Sequence, residues 1–223
     1  MSRKTESESL FESFCDQNGI RREAIPTMAK QQEETPDYYI YIGQQKIVCE
    51  IKQIDPNEEE MEQQRIFEAG GLAVSGSTPG DRVRTKIAAG ASQIRVRAKG
   101  RLPSILVVYN NVLIADHANP YFILVAMYGL ETHVLAVPED RNISPYLTDK
   151  KFGPKRKMSK EHNTSVSAVA VISTNLEGIA TLRVYHNIYA EIPLSPELFR
   201  RSNIRQFTVG EKVVGHLPDW TEV

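Results

Sequence analysis

Sulfur is scarce in this chain, and long apolar stretches are absent. The 223 residues hold two cysteines, Cys15 and Cys49, both at apolar positions of an expected helix and an expected strand. That argues against a disulfide framework and for a reduced, cytoplasmic protein. No Cys/His spacing of the zinc-site kind occurs, and neither does a glycine-rich phosphate loop, an internal repeat or a low-complexity block. The longest apolar run, Phe122–Met127, is far too short to span a bilayer. The opening MSRKTESES is polar and lacks the apolar core of a signal peptide. One sign of charge does not dominate either. The formal net charge is −1, so any surface for nucleic acid has to come from local clustering.

What is present reads as one α/β domain. The hydrophobic content of 41% and charged content of 25% are ordinary for a soluble globular protein, and the length suits one good-sized domain. Leu10, Phe11, Phe14 and Cys15 recur at helical spacing, which predicts a helix over 6–18 closed by Asn18-Gly19. A short strand over 20–25 stops at Pro26. The acidic stretch 55–80 reads as a helical insertion with a solvated charge run, followed by a glycine-rich loop. A helix over 81–98, N-capped by Asp81, carries an apolar stripe of Val83, Ile87, Ala91, Ile94 and Ala98. The unbroken run Ile105–Val108 predicts a central strand covered on both faces. A short helix from Pro120 and a strand over 132–137 follow, then a long polar loop over 139–165. Strands over 166–172 and 179–185 come next, then a helical turn from Ser195 and irregular chain through Trp220. The expected architecture is a mixed central sheet flanked by helices, a single domain over 1–223. Its core spans about 6–137, with a β-rich extension over about 138–223.

The stretch Thr35–Lys52, TPDYYIYIGQQKIVCEIK, organises the rest. Gly43-Gln44 between two apolar runs predicts a two-residue type II′ hairpin turn. The turn sets the register: Ile42 faces Gln45, Ile40 faces Ile47, Tyr38 faces Cys49 and Asp37 faces Glu50. One face is then apolar, and the other holds Asp37, Tyr39, Tyr41, Lys46, Val48, Glu50 and Lys52. Opposed residues have Cβ atoms roughly 4.5–5.5 Å apart. Two carboxylates at that distance repel unless a cation lies between them, and carboxylate oxygens suit Mg²⁺ or Mn²⁺ better than zinc.

Pro36-Asp37, a spacer and Glu50-Ile51-Lys52 resemble the PD-(D/E)xK nuclease superfamily, over about residues 6–110. The strand–turn–strand setting, with an acidic helix before and a basic helix after, strengthens the resemblance. It implies a restriction-endonuclease-like core and Mg²⁺-dependent hydrolysis of phosphodiester bonds, with Mn²⁺ able to substitute. It also implies metal ligation by Asp37, Glu50 and the main-chain carbonyl of Ile51, and a water-orienting, charge-offsetting role for Lys52. A first-helix glutamate would complete the site, with Glu8 the better match and Glu12 the fallback. The helix after the motif would lend a lysine or glutamine, Lys86 or Gln93.

The substrate expected is nucleic acid, DNA ahead of RNA, with no membrane partner. Its phosphates would meet two basic surfaces. One is the helix stripe of Arg82, Lys86, Gln93 and Arg97, beside which Arg84, Arg95, Lys99 and Arg101 add charge. The other is the loop around Gly153-Pro154 with Lys155, Arg156 and Lys157. A homodimer would be needed to cut both strands at once. Two competing classes remain on sequence grounds, an inactive nucleic-acid-binding module of the same fold and a partner-binding protein with a chance E-x-K. His186, at the end of a strand, reads as structural.

Overall fold

The computed structural model of the chain describes residues 4–26, 35–72, 76, 78–98, 100–152, 155–175, 177–201, 203–210 and 219–223. The polar loop expected before the hairpin falls at 27–34, outside them, as do Lys99 and Gly153-Pro154. Helix α1 (Glu6–Gln17) starts from a capping box between Thr5 and Glu8 and ends at Asn18, followed by Gly19 at φ +59°. It leads into the four-residue strand β1 (Arg21–Ala24). The hairpin then forms from β2 (Tyr38–Ile42) and β3 (Gln45–Ile54) in the register read from the turn. Gly43 takes φ +60° and Gln44 does not, the signature of type II′ rather than I′. Helix α2 (Glu58–Glu68) is capped by Asn57, and helix α3 (Asp81–Ala98) spans the predicted residues. Asp81 is the first residue of α3 rather than its cap.

Strand β4 (Ser104–Asn110) lies parallel to β3. After it come α4 (Pro120–Tyr128), β5 (Glu131–Ala136) and β6 (Tyr146–Phe152), then β7 (Ala168–Thr174) and β8 (Ala180–His186). A 3₁₀ turn at Pro196–Phe199 precedes β9 (Ile204–Val209) and β10 (Trp220–Glu222). Eight strands form one mixed sheet in the order β1-β2-β3-β4-β7-β8-β9-β10. Strands β5 and β6 pair with each other as a separate two-stranded sheet. The expected α/β class and flanked mixed sheet therefore stand. The stretch 139–165 is not one long loop, because β6 lies within it, and the tail before Trp220 is not irregular, because β9 and β10 extend the sheet. Trp220 donates its indole N–H to Pro120 O at 2.9 Å and packs on Tyr185, which ties the last strand to α4.

Alternation along the central strands divides the core in two. Ile47, Cys49, Ile51, Ile105 and Val107 face Phe11, Phe14 and Cys15 of α1. Val48, Ile54, Leu106 and Val108 face Val83, Ile87, Ala91 and Ile94 of α3. Burying a Val, Leu or Ile side chain is worth about 1.5–3 kcal/mol, so the two layers hold α1 and α3 on opposite faces of β3. Both cysteines are free and buried. Among the described residues no helix is long and apolar enough to cross a membrane.

Candidate active site

Glu50 and Lys52 occupy even positions of β3 and so project on the α3 side of the sheet, with Asp37 beside them at the foot of β2. The two acids are locked together by main chain and side chain. Asp37 N–H donates to Glu50 Oε2 at 3.1 Å, and Ile51 N–H donates to Asp37 Oδ2 at 2.7 Å. Lys52 Nζ stands 2.6 Å from Glu50 Oε1. Glu50 is 1% exposed. Burial and the nearby Asp37 charge push its carboxyl up to about 8, against the downward pull of Lys52. Burial also raises Asp37, partly offset by the Ile51 N–H and by Lys52. Both carboxyls are shifted towards the protonated form, as expected where like charges are desolvated together.

One residue not singled out from the sequence makes this burial possible. Gly90 sits in the middle of α3, directly over the Glu50–Leu106 pair of neighbouring strands. A Cβ there would collide with Leu106 Cδ1 and lie 3.4 Å from Glu50 Cγ. Glycine inside a helix costs about 1 kcal/mol relative to alanine, and that local cost was the signal available in the sequence.

The remaining candidates are distributed as follows. Lys86 is one turn before Gly90 on α3, and its charge is felt together with those of Lys52, Arg82 and Asp55; burial lowers its pKa. Gln93 is buried beside Thr35, its Nε2 reaching Thr35 O at 3.5 Å and its Oε1 left without a hydrogen-bond partner. Arg97 Nε is likewise buried without one. Glu8 lies on the other side of the sheet from the pair. Its carboxylate accepts from Thr5 N at 2.6 Å and Thr5 Oγ1 at 2.9 Å, although its charge still reaches Asp37. Glu12 is engaged by Lys4 and by the Tyr38 hydroxyl. Neither glutamate is hydrogen-bonded to the pair, and among the described residues no three His, Cys, Asp or Glu side chains gather as a metal cage.

Arg82 and Arg84 are not free basic surface. Arg82 donates to both oxygens of Glu60, at 3.0 and 2.8 Å, and to Asp55 O. Arg84 is 4% exposed and donates to Val125 O at 3.1 Å, Pro79 O at 2.7 Å and Asp81. The acidic run on α2 is accordingly not wholly solvated. Glu60 is buried between Arg82 and His117, two partners distant in sequence. Lys155 is exposed at φ +72° with its Nζ 3.9 Å from Asp81, and Arg156 is exposed. Lys157 anchors its segment through its N–H to Met127 O at 3.1 Å. His186 is buried against Gln206 Oε1 at 3.1 Å, a structural placement.

Comparison of the chain with protein-family models, with curated proteins and with solved structures finds no match in any of the three.

Proposed function

We propose that the chain is a metal-dependent nuclease with a restriction-endonuclease-like core, hydrolysing phosphodiester bonds of nucleic acid, DNA ahead of RNA. The observation that carries this reading is the pairing of buried Glu50 with half-buried Asp37, with Lys52 on the same sheet face. Two neighbouring carboxyls, both raised by desolvation, face a single ammonium, that of Lys52, which leaves room for a further positive charge. The unpartnered Gln93 Oε1 near Thr35 adds a further polar atom without a mate. A two-carboxylate set suits Mg²⁺ or Mn²⁺, which usually keep several waters and take substrate phosphate oxygens as remaining ligands. Asp37, Glu50 and the Ile51 carbonyl would hold the ion, and Glu8 could act only through water. Bound there, the ion would acidify a water and neutralise charge on the phosphate.

The protein's own groups do the rest. A cation between Asp37 and Glu50 would favour the ionised form of both, against the upward push of burial. Lys52 Nζ, at present on Glu50 Oε1, then becomes free to hold a water or to offset negative charge growing on a phosphate oxygen. Helix α3, seated on Glu50 through Gly90, keeps bulk water from the inner side of the carboxylates and strengthens every charge interaction there. The deciding experiment is incubation of the protein with single- and double-stranded DNA and RNA in Mg²⁺, Mn²⁺ or EDTA. Cleavage in either metal and none in EDTA is expected. No cleavage of any of the four substrates would refute the reading.

A further inference from the structure

The face that carries Asp37 and Glu50 continues along the hairpin as a row of aromatic and cationic side chains. Tyr39 and Tyr41 follow Asp37 at alternate positions, so they project to the same side. Tyr41 is opposite Lys46 on β3 and opposite Arg21 on β1, and Glu23 of β1 is opposite Tyr39. The Arg21 guanidinium carbon lies 3.8 Å from the Tyr41 ring centroid. Lys46 Nζ lies 3.6 Å from the centroid of Tyr39 and 5.7 Å from that of Tyr41. The Tyr41 hydroxyl donates to Glu23 at 2.8 Å, which fixes the ring. Arg21 is exposed, and Tyr39, Tyr41 and Lys46 are half-buried. Among the described residues β1 is the outermost strand of the sheet at this end.

The opposite face of the same hairpin is built differently. There Tyr38, Ile40, Ile42 and Ile47 pack into the apolar layer under α1. On the Tyr41 side Tyr39 packs at the edge of the apolar layer under α3, whereas among the described residues neither apolar layer takes in Tyr41, and cations from neighbouring strands lie on both rings. A step of two residues along a strand is about 7 Å, so the row begins one such step from Asp37.

We propose that this row is a platform for single-stranded nucleic acid, leading a strand into the Asp37–Glu50 site. Aromatic rings and guanidinium planes accept bases of any sequence, and nearby cations track the backbone. A base would stack on Arg21 over Tyr41 or replace that guanidinium on the ring, with Lys46 held for phosphate. Paired bases in a duplex cannot offer their faces, so the platform selects unpaired strand. The inference rests on the nuclease reading for the destination of the strand, and the binding itself needs no metal.

The test is fluorescence anisotropy of a labelled oligo(dT), and of a blunt duplex of equal length, with the full chain in EDTA. Tyr41→Phe should bind oligo(dT) like the parent, because only the hydroxyl is lost. Tyr41→Leu should weaken oligo(dT) about tenfold and leave the duplex unchanged. Addition of oligo(dT) should quench tyrosine fluorescence in the parent, and less so in Tyr41→Leu. Lys46→Gln, which keeps the fold independently of the ring, should flatten log affinity against log salt by about 0.7. Parent protein that ignores oligo(dT), or an unchanged slope in Lys46→Gln, overturns the platform. So does an equal loss for oligo(dT) and duplex in Tyr41→Leu. Metal-dependent cleavage of duplex alone would sink the platform and keep the nuclease. Oligo(dT) binding that depends on Tyr41, without cleavage in any metal, would do the reverse.

Discussion

Among the described residues two glutamates are buried, and they have opposite chemistry. Glu50 is 1% exposed and Glu60 is 6% exposed, yet the Glu50 carboxyl is pushed up to about 8 and that of Glu60 is lowered. Burial raises both. At Glu60 it is outweighed by the Asn57 N–H, by Arg82 and by His117, which together supply donors to both carboxylate oxygens. At Glu50 the Asp37 charge adds to burial, and the opposing charge is that of Lys52. Desolvation by itself therefore marks nothing. An acid whose partners leave charge unbalanced is the candidate for chemistry, and one whose partners balance it is a fastening.

The most severe way to test that distinction is to neutralise each acid. Glu50→Gln keeps the shape and removes a charge that a hard cation needs. Cleavage should fall by at least ~10², since loss of a metal ligand removes several kcal/mol of transition-state stabilisation. The fold should persist, because the repulsion with Asp37 goes as well. Initial rates at saturating Mg²⁺ decide it, and near-parental cleavage would break the site assignment. Lys52→Ala should also abolish cleavage, with metal affinity kept or tightened because a neighbouring cation is gone.

The pH dependence of folding should separate the two glutamates next. Glu50 has a folded-state pKa above its usual value of 4.5. Between about pH 4.5 and 8 the native state therefore keeps a proton that the unfolded state has released. Stability contributed by this group falls as pH rises through that window. The metal-free protein should lose on the order of 2 kcal/mol from pH 5.5 to 8, measured by urea unfolding in EDTA. Glu50→Gln should remove most of that slope, and Mg²⁺ should restore stability at pH 8 by mass action. Glu60, with its pKa lowered, has the opposite sign: its contribution is present above its usual pKa of 4.5 and lost as pH falls below it. A flat profile in the parent would mean the acids of the hairpin are not desolvated in solution.

How much of this was open to a reader of the sequence depended on whether an interaction was local. The hairpin register followed from Gly43-Gln44, and the helix over 81–98 from its own apolar stripe, because turn and periodicity are written within a few residues. Glu60 escaped because Arg82 and His117 lie 22 and 57 positions away, so its run read as solvated. The same holds for Arg84, whose acceptor Val125 O belongs to another helix. Strand β6, YLTDKKF, has little apolar content because its two-stranded sheet is widely exposed, with Tyr146 57% and Leu147 44% exposed. Strand β10 has three residues and gains its place from Trp220 packing on Tyr185. Asp37 facing Glu50 was readable. The closeness of α3 was not, since Gly90 reveals its purpose only against Leu106.

Glu60→Ala should show the fastening role at smaller amplitude. It strands His117 and the Arg82 guanidinium, which is 29% exposed and can rehydrate. A destabilisation of about 1–2 kcal/mol is expected, below that of a fully buried pair. Measured well below its melting temperature, cleavage should stay near that of the parent. A loss of cleavage as large as that of Glu50→Gln, with the fold intact, would erase the distinction between the two acids.

The smallest effect concerns the cations that the structure leaves available after Glu60 has claimed Arg82. On the α3 stripe these are Lys86 and Arg97, on either side of Gly90. Net charge is −1, so affinity for nucleic acid must come from such local groups. Each phosphate contact contributes about 0.9 to the slope of log affinity against log salt for duplex DNA. Replacing Lys86 and Arg97 by alanine together should flatten that slope by up to roughly 2, a loss of about tenfold in affinity at low salt. Different sequences should weaken equally, because phosphate contacts carry no base information. The salt titration is run in Ca²⁺ with the Glu50→Gln chain, so that no substrate is consumed. Adding Arg82→Ala should change the slope little, because its charge is already matched by Glu60. A large further flattening would mean that substrate displaces Glu60 from Arg82, and that the balanced centre, too, takes part in binding.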